Sequence, residues 1–272
     1  MDSSKLKNII LIVLLAVNCV FAGLLIDFRR DAAVAETRLK QELTEVFANN
    51  GITLSENVNV SVDVPEEYIL ARNTESELDA VESLLGHAYV YDQGGNVLYY
   101  SCRKGEARFR GTGEVDIVFS GESWDINGDV EETAREAVKK LGADPIVRSV
   151  TTGDLTTVEL GWRFCGDEVF NSVMELSFSQ ECLLMAVGML AFDDVLGTTG
   201  TEAMSCSTAL INFLGNIQEN GYECKNIYSI EAGYLISVPV SGEATLTPAW
   251  KIETDTGNYC INAVSGREES IS

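Results

Sequence analysis

The sequence predicts an α+β protein: a single N-terminal transmembrane helix followed by an extracytoplasmic domain of repeated helix-on-antiparallel-sheet modules. Three observations predict it. Residues 8–26 form one apolar run without a charge. Beyond it, helix-capping signals and strictly alternating apolar residues follow one another. From residue 129 a helix-then-four-strands pattern occurs twice at a nearly constant offset, with Gly142 and Gly221 79 residues apart and Cys182 and Cys260 78 apart. The expected organisation is a cytoplasmic tail (1–7), the membrane helix (8–26), a juxtamembrane helix (27–50), an N-terminal α+β subdomain (51–128) and two helix-plus-sheet repeats (129–203 and 204–272).

The first element rests on length. Asn8 to Ile26 is nineteen residues, bracketed by Lys5 and Lys7 before it and by Asp27, Arg29 and Arg30 after it. As a helix it spans roughly 28 Å, close to the hydrocarbon thickness of about 30 Å. A cleaved signal peptide is the rival, because Val20-Phe21-Ala22 places small residues where a peptidase inspects them. Against it, the apolar run continues through Leu24, Leu25 and Ile26 and ends in charge. A lipoprotein signal at Cys19 is disfavoured by Asn18, which stands where a small residue is wanted. Lys5 and Lys7 favour a cytoplasmic N-terminus, so residues 31 onward, with 15 basic and 40 acidic side chains, are expected outside the cell membrane.

After the membrane, Ala32, Ala35, Leu39, Leu43 and Val46 recur every three or four residues up to Asn50-Gly51, the signature of a helix and its stop. Val58, Val60, Val62 and Val64 alternate with polar residues and predict a half-buried strand. Thr74-Glu75-Ser76-Glu77 reads as a capping box opening a helix through Leu78, Val81, Leu84 and Leu85 to Gly86. Residues 88–91 and 97–101 flank Gln93-Gly94-Gly95-Asn96, a hairpin signal, and Val115, Ile117 and Phe119 mark another strand. In the first repeat Asp129 caps a helix that ends at Leu141-Gly142, with strands near 145–152, 157–165, 169–178 and 182–190. In the second, Ser205 or Ser207 caps a helix through Leu210, Phe213, Leu214 and Ile217, with strands near 224–231, 233–240, 245–254 and 258–264.

Composition excludes whole classes of function. The chain has 272 residues, 42 Asp or Glu against 19 Lys or Arg, and a formal net charge of −23, so a nucleic-acid polyanion would be repelled. With 46% hydrophobic and 22% charged residues it is globular rather than disordered. His87 is the one histidine and follows a helix-ending glycine, which reads as a cap or surface residue and leaves no Ser/His/Asp or Cys/His constellation. No CxxC, HExxH, DxDxDG or phosphate-binding glycine loop occurs, so neither metal nor cofactor is expected. Asp193-Asp194 and Glu66-Glu67 are acid pairs that so acidic a composition produces unaided. Beyond Cys19, six cysteines (Cys102, Cys165, Cys182, Cys206, Cys224 and Cys260) permit three disulfides, but a domain this large does not need them, and no bridge is expected.

Met1-Asp2-Ser3-Ser4-Lys5-Leu6-Lys7-Asn8-Ile9-Ile10, running into an apolar helix that holds Asn18, resembles the start of the YycI family, whose N-termini read Met-Asp-Trp-Ser-Lys-x-Lys before such a helix. Ser3 stands where that family has Trp. Residues 246–252 (Leu-Thr-Pro-Ala-Trp-Lys-Ile) and 257–263 (Gly-Asn-Tyr-Cys-Ile-Asn-Ala) resemble the closing strands of the same family and of PepSY-like modules. The resemblance implies a non-enzymatic signal-transduction protein of Gram-positive bacteria. Such proteins act with a YycH-like partner on the sensor histidine kinase of a two-component system controlling cell-wall metabolism. In that reading the partner-binding residues lie in the membrane helix. Ala16, Ala22 and Gly23 let a second helix approach closely, and Asn18 offers an interhelical hydrogen bond of roughly 0.6–2 kcal/mol, although it could also bond within its own helix. Homo- or hetero-oligomers would form through the same face. A PepSY-type module that binds or inhibits an extracytoplasmic cell-wall hydrolase or protease is the alternative, and an enzyme using acidic residues comes third.

Overall fold

The computed structural model describes residues 34–60, 62–121, 124–126, 129–180, 182–191, 193–221, 223–239 and 243–271. Residues 8–26, and with them Ala16, Asn18, Ala22 and Gly23, lie outside this set. Among the described residues no helix is long and apolar enough to cross a membrane.

Two consecutive long strands, β13 (Asn226–Ser237) and β14 (Ala244–Thr254), form an antiparallel hairpin that runs through the whole fold, and the other strands are arranged around it. Beside β14 lie β2 (Tyr68–Arg72), then β12 (Asp193–Thr198). Beside β13 lie β9 (Asp167–Val169), β8 (Thr156–Phe164), β10 (Met174–Phe178), β11 (Leu183–Met189), β6 (Glu114–Phe119), β5 (Gly105–Arg110), β4 (Val97–Cys102) and β3 (Ala88–Asp92) in that order. Shorter branches add β1 (Thr53–Leu54) to β13, β7 (Asp144–Thr152) to β8, and β15 (Gly257–Asn262) with β16 (Glu268–Glu269) to the far half of β14. Four helices are described: α1 (34–49), α2 (Thr74–Leu85), α3 (Val130–Lys140) and α4 (Cys206–Asn220).

This corrects the expected fold class. The two helix-plus-sheet segments are not separate antiparallel modules but parts of one strand-dominated mixed sheet, in which β13 pairs parallel with both β1 and β9. Nor are the copies equivalent. In the first, the strand expected at 169–178 breaks into β9 and β10, because Asn171 and Ser172 turn out of the ladder. Asn171 exchanges two hydrogen bonds with the main chain of Ile236 (2.9 and 2.8 Å), and the Ser172 hydroxyl accepts from Trp162 Nε1 and donates to Met189 O. In the second, residues 226–237 form one strand where two were expected around Gly233. That glycine makes a close approach rather than a turn. A Cβ there would lie 2.5 Å from the Glu168 carbonyl and 2.4 Å from the Phe170 ring.

The hairpin also divides the core. Its closed end contributes Tyr234, Ile236, Ala244 and Leu246 to the larger cluster, where α2 and α3 lay Val81, Leu84, Leu85, Ala134 and Val138 over strands β4 to β11. Its open end contributes Ile227, Trp250 and Ile252 to the smaller one, closed by Phe213, Leu214 and Ile217 of α4 and by Leu43 and Phe47 of α1. Of the stripe expected for this helix, Leu43 is buried and Leu39 half-buried on its own domain beside Phe47, whereas Ala35 and Val46 are exposed.

Other local expectations shift for identifiable reasons. Among its described residues, the segment from Val58 to Val64 alternates in burial as predicted but shows no strand structure and no strand partner, and Val58 and Val60 are buried in the smaller core. The cap of α2 is Asn73, whose side chain accepts from the N–H groups of Glu75 and Ser76, so Glu77 does not complete a capping box. Glu77 is instead buried, 3% exposed, and takes both forks of the Arg72 guanidinium (2.5 and 2.9 Å) with the Tyr100 hydroxyl at 3.1 Å. Arg72 reaches on to the carbonyl and side-chain oxygens of Asn96 in the β3–β4 turn, both at 2.7 Å. Burial and the neighbouring Glu77 push the Tyr100 phenol far up, so it stays a donor.

Breaking one member of this pair strands a buried charge. Glu77→Ala is expected to cost about 3–5 kcal/mol. Replacing Arg72 and Glu77 together by Met and Leu is expected to cost less than Glu77→Ala alone. The midpoint of urea unfolding, compared across the three variants, checks both.

Candidate protein-docking surface

α2 packs on one face of β3 to β5, the inward side chains of β4 to β6 and β11 are buried in the larger core, and the register fixes what the opposite face presents. One cross-strand row reads Tyr91, Tyr99, Arg108, Asp116, Val187; the next reads Tyr89, Ser101, Glu106, Val118, Met185. Tyr89 (65%), Tyr91 (54%), Val118 (46%) and Met185 (38%) are exposed large apolar groups on this face. They are framed by polar pairs. Tyr99 donates to Glu106 Oε2 at 2.6 Å, which raises the Tyr99 phenol, and Arg110 meets Asp116 at 2.8 Å and Glu114 at 3.5 Å. Rings of Tyr91 and Tyr99 lie 6.1 Å apart. Amphipathic aromatics beside Arg and Met, set on a rigid sheet, suit recognition of another protein, since such residues carry large contact area at low entropic cost.

The sequence-predicted candidates fall elsewhere. His87 is exposed at the end of α2, with Nδ1 2.9 Å from Glu82 Oε1. Glu82 also accepts the Ala88 N–H at 3.1 Å; the amide and His87 hold its carboxyl below the usual range, so this carboxylate pins the start of β3. Glu67 accepts hydroxyls from Thr199 (2.6 Å) and Thr247 (3.0 Å), and Asp194 accepts from Asn73 (3.0 Å). These acids are tethers. Among the described residues no three His, Cys, Asp or Glu gather as metal ligands.

A groove of about 520 Å³ opens between α2, the end of α3 and the end of β8, floored by Trp162 and Phe164 and flanked by Lys140, Arg163 and Asp79. Its two cations are answered by Glu136 (4.0 Å) and Asp144 (3.6 Å), and Lys140 also lies 5.0 Å from the centre of the Trp124 ring. Both cations of the groove are therefore shared, which leaves Asp79 as its lining charge without an ion pair among the described residues.

Charge was spent elsewhere in the fold. Glu168 on β9 bridges Arg148 of β7 (3.0 Å) and Lys251 of β14 (3.0 Å), and Lys251 reaches Glu231 at 2.9 Å. Burial opposes the Lys251 charge, but its bonds to Glu231 and Glu168 outweigh burial and hold the ammonium above its usual range. Two cations and two carboxylates cancel, which marks a structural clamp. None of these residues was singled out by sequence; lone charges within apolar strands (Arg148, Glu168, Lys251) were the signal to follow.

All six described cysteines are free. Burial pushes the Cys206 and Cys260 thiols up to about 12, and raises Cys102 and Cys224 as well. Cys165 alone among them is exposed, in the β8–β9 turn at φ 52°. A short iodoacetamide pulse on the native protein, read by peptide mass spectrometry, is expected to label Cys165 first and Cys102 more slowly. Cys182, Cys206, Cys224 and Cys260 are expected to react only after unfolding.

Comparison with known proteins adds little. No protein-family model matches the chain, and no curated protein does. Among solved structures, an uncharacterized protein from Eubacterium rectale is similar with a TM-score of 0.49 at 10% identity, covering 81% of this chain and 90% of that one. A likeness at that level says nothing about function.

Proposed function

We propose that the chain is a non-enzymatic regulator that works by protein contact. Residues 8–26 hold it at the cell membrane, and the domain lies outside. The chemistry invoked is recognition alone, with no catalytic group or cofactor. The observation that carries this reading is the open face of β3 to β6 and β11, where tyrosines, Val118 and Met185 stand uncovered beside Arg108, opposite the face that builds the larger core. By its resemblance to the YycI family, the partners are a membrane-bound sensor histidine kinase and a YycH-like protein. Contact through Ala16, Asn18, Ala22 and Gly23 would sense the packing of the kinase helices, and the domain would supply the second contact. A regulator of this kind shifts a kinase between two states only as far as it binds them differently. The strong acidity of the domain disfavours anionic lipid and nucleic acid, and leaves proteins as the natural partners.

Two changes test the two contacts separately. Val118→Lys with Met185→Lys alters exposed positions only and is expected to keep the thermal unfolding temperature while lowering co-purification of partners from solubilised membranes by about tenfold. Exchanging residues 1–30 for an unrelated single-pass anchor is expected to abolish kinase control with the domain intact. Control that survives the exchange would instead favour a module that holds an extracytoplasmic hydrolase or protease. Survival of partner capture in the lysine variant would remove the open face from the account.

A further inference from the structure

Edge strands are templates for pairing, and folded proteins blunt them with bulges, charges, prolines or brevity. Among the described residues, β12, β7, β16, β1 and β3 each have a single neighbouring strand. β12 carries a register break between Val195 and Gly197, β7 carries one between Val147 and Ser149, and β16 and β1 have two residues each. β3 has neither a bulge nor a proline and is five residues long, with charge only at its ends, in Asp92 and in the Glu82 carboxylate on the Ala88 N–H. Its five residues, Ala88-Tyr89-Val90-Tyr91-Asp92, hold an unbroken register with β4, and Tyr89, Val90 and Tyr91 are all exposed.

The free side of this strand can be identified. Gln93 N–H donates to Val97 O at 3.0 Å, so the alternation of an antiparallel ladder turns the main-chain groups of Tyr91 and Tyr89 toward β4. Those of Ala88, Val90 and Asp92 face away. Consistent with this, the Ala88 N–H is taken by the Glu82 carboxylate rather than by β4. Val90 and Asp92 therefore present N–H and C=O groups to a partner strand.

We propose that β3 pairs with β3 of a second copy of this chain, antiparallel about a two-fold axis at Val90, joining the two sheets edge to edge. The sequence is palindromic in the way this requires. Val90 meets Val90 of the other copy in a doubly hydrogen-bonded pair, each Asp92 N–H donates to the opposite Ala88 carbonyl, and Tyr89 stands opposite Tyr91 on the open face. Aromatic pairs directly across strands are stabilising. Charge is compatible as well. In a chain with 22% charged residues, β3 has one, Asp92, which falls opposite Ala88, while Gln93 falls opposite His87; the acid nearest the opposite Asp92 is Glu82, already engaged by the Ala88 N–H and His87 of its own copy. The pairing goes beyond the regulatory reading and does not depend on it, and it would place two open faces side by side.

Oxidative cross-linking of the full chain in membranes tests the register, in a background with Cys19→Ser and Cys165→Ser. Val90→Cys is expected to give a covalent dimer well above that background, because hydrogen-bonded pairs hold their Cα atoms about 5.5 Å apart, within disulfide reach. Tyr89→Cys and Tyr91→Cys are each expected to give none alone but to cross-link when the two chains are co-expressed. Val90→Pro removes a donor at an edge position that tolerates proline, and by light scattering of the purified full chain it is expected to be folded and monomeric. Since each copy carries a net charge of −23, the wild-type dimer fraction is expected to rise as salt screens the repulsion. Absence of a Val90→Cys dimer overturns the proposal, as does its cross-linking to a different protein. Cross-linking that is equal at residues 89, 90 and 91 also overturns it, since that would signal random collision.

Discussion

The fold depends on one close approach. At Gly233 the middle of β13 has no side chain, and β9 lies against it in parallel, with the Phe170 ring filling the space a Cβ would need. The contact is extended on both sides. Phe170 N–H donates to Tyr234 O at 2.8 Å, and the Asn171 amide substitutes for a strand at Ile236. Glu168, on the same short strand, fixes Arg148 on one side and Lys251 on the other. A second glycine serves this clamp, since a Cβ on Gly161 would come within 2.8 Å of Arg148 Nε. Without this junction the strands from β8 to β3 would have no connection to the hairpin, and the protein would be two sheets.

The continuity of the sheet decides what is exposed. The larger core is closed by helices on one face, so the face bearing Tyr89, Tyr91, Val118 and Met185 is left to solvent, and the sheet must end somewhere. It ends at β3, which is held at its start by Glu82 and at its turn by Arg72, whose guanidinium links buried Glu77 to Asn96. An edge strand held at both ends, by the half-exposed Glu82 at its start and through Arg72 by the buried Glu77 at its turn, keeps its ordering cost out of the binding step, which is the advantage of a preorganised surface. Rigidity and exposure thus come from the same interactions, and both suit the proposed contact.

Much of the local structure was legible in the sequence. The glycine-rich turn at Gly94-Gly95 and Asn96 gave the β3–β4 hairpin, with all three residues at positive φ. Ser205 caps α4 and Gly221 ends it in the left-handed conformation, as expected from residue type. What failed was any inference from periodicity to partnership. Val58 to Val64 has the alternation of a strand without a neighbour, and a constant spacing of helices suggested two modules where the strands between them join. The strand boundary expected between 231 and 233 does not exist, and the role of Gly233 is steric and depends on Phe170, sixty-three residues away. Inward and outward faces of β6 could be read from Val115, Ile117 and Phe119. That β6 lies beside β11, which places Val118 next to Met185, could not, because the pairing is long-range. The four residues singled out for partner binding, Ala16, Asn18, Ala22 and Gly23, lie outside the described residues, and the open face was found only through the register.

Both proposed contacts put the β3 end of the sheet where this protein meets others. Hydrogen–deuterium exchange on the full chain, measured once as dilute solubilised protein and once assembled in its own membranes, tests it directly. Assembly is expected to slow exchange at the amides of Val90 and Asp92, while the bulged edges β7 and β12 stay unchanged. Slowing confined to β7 or β12, or no slowing at β3, would contradict it.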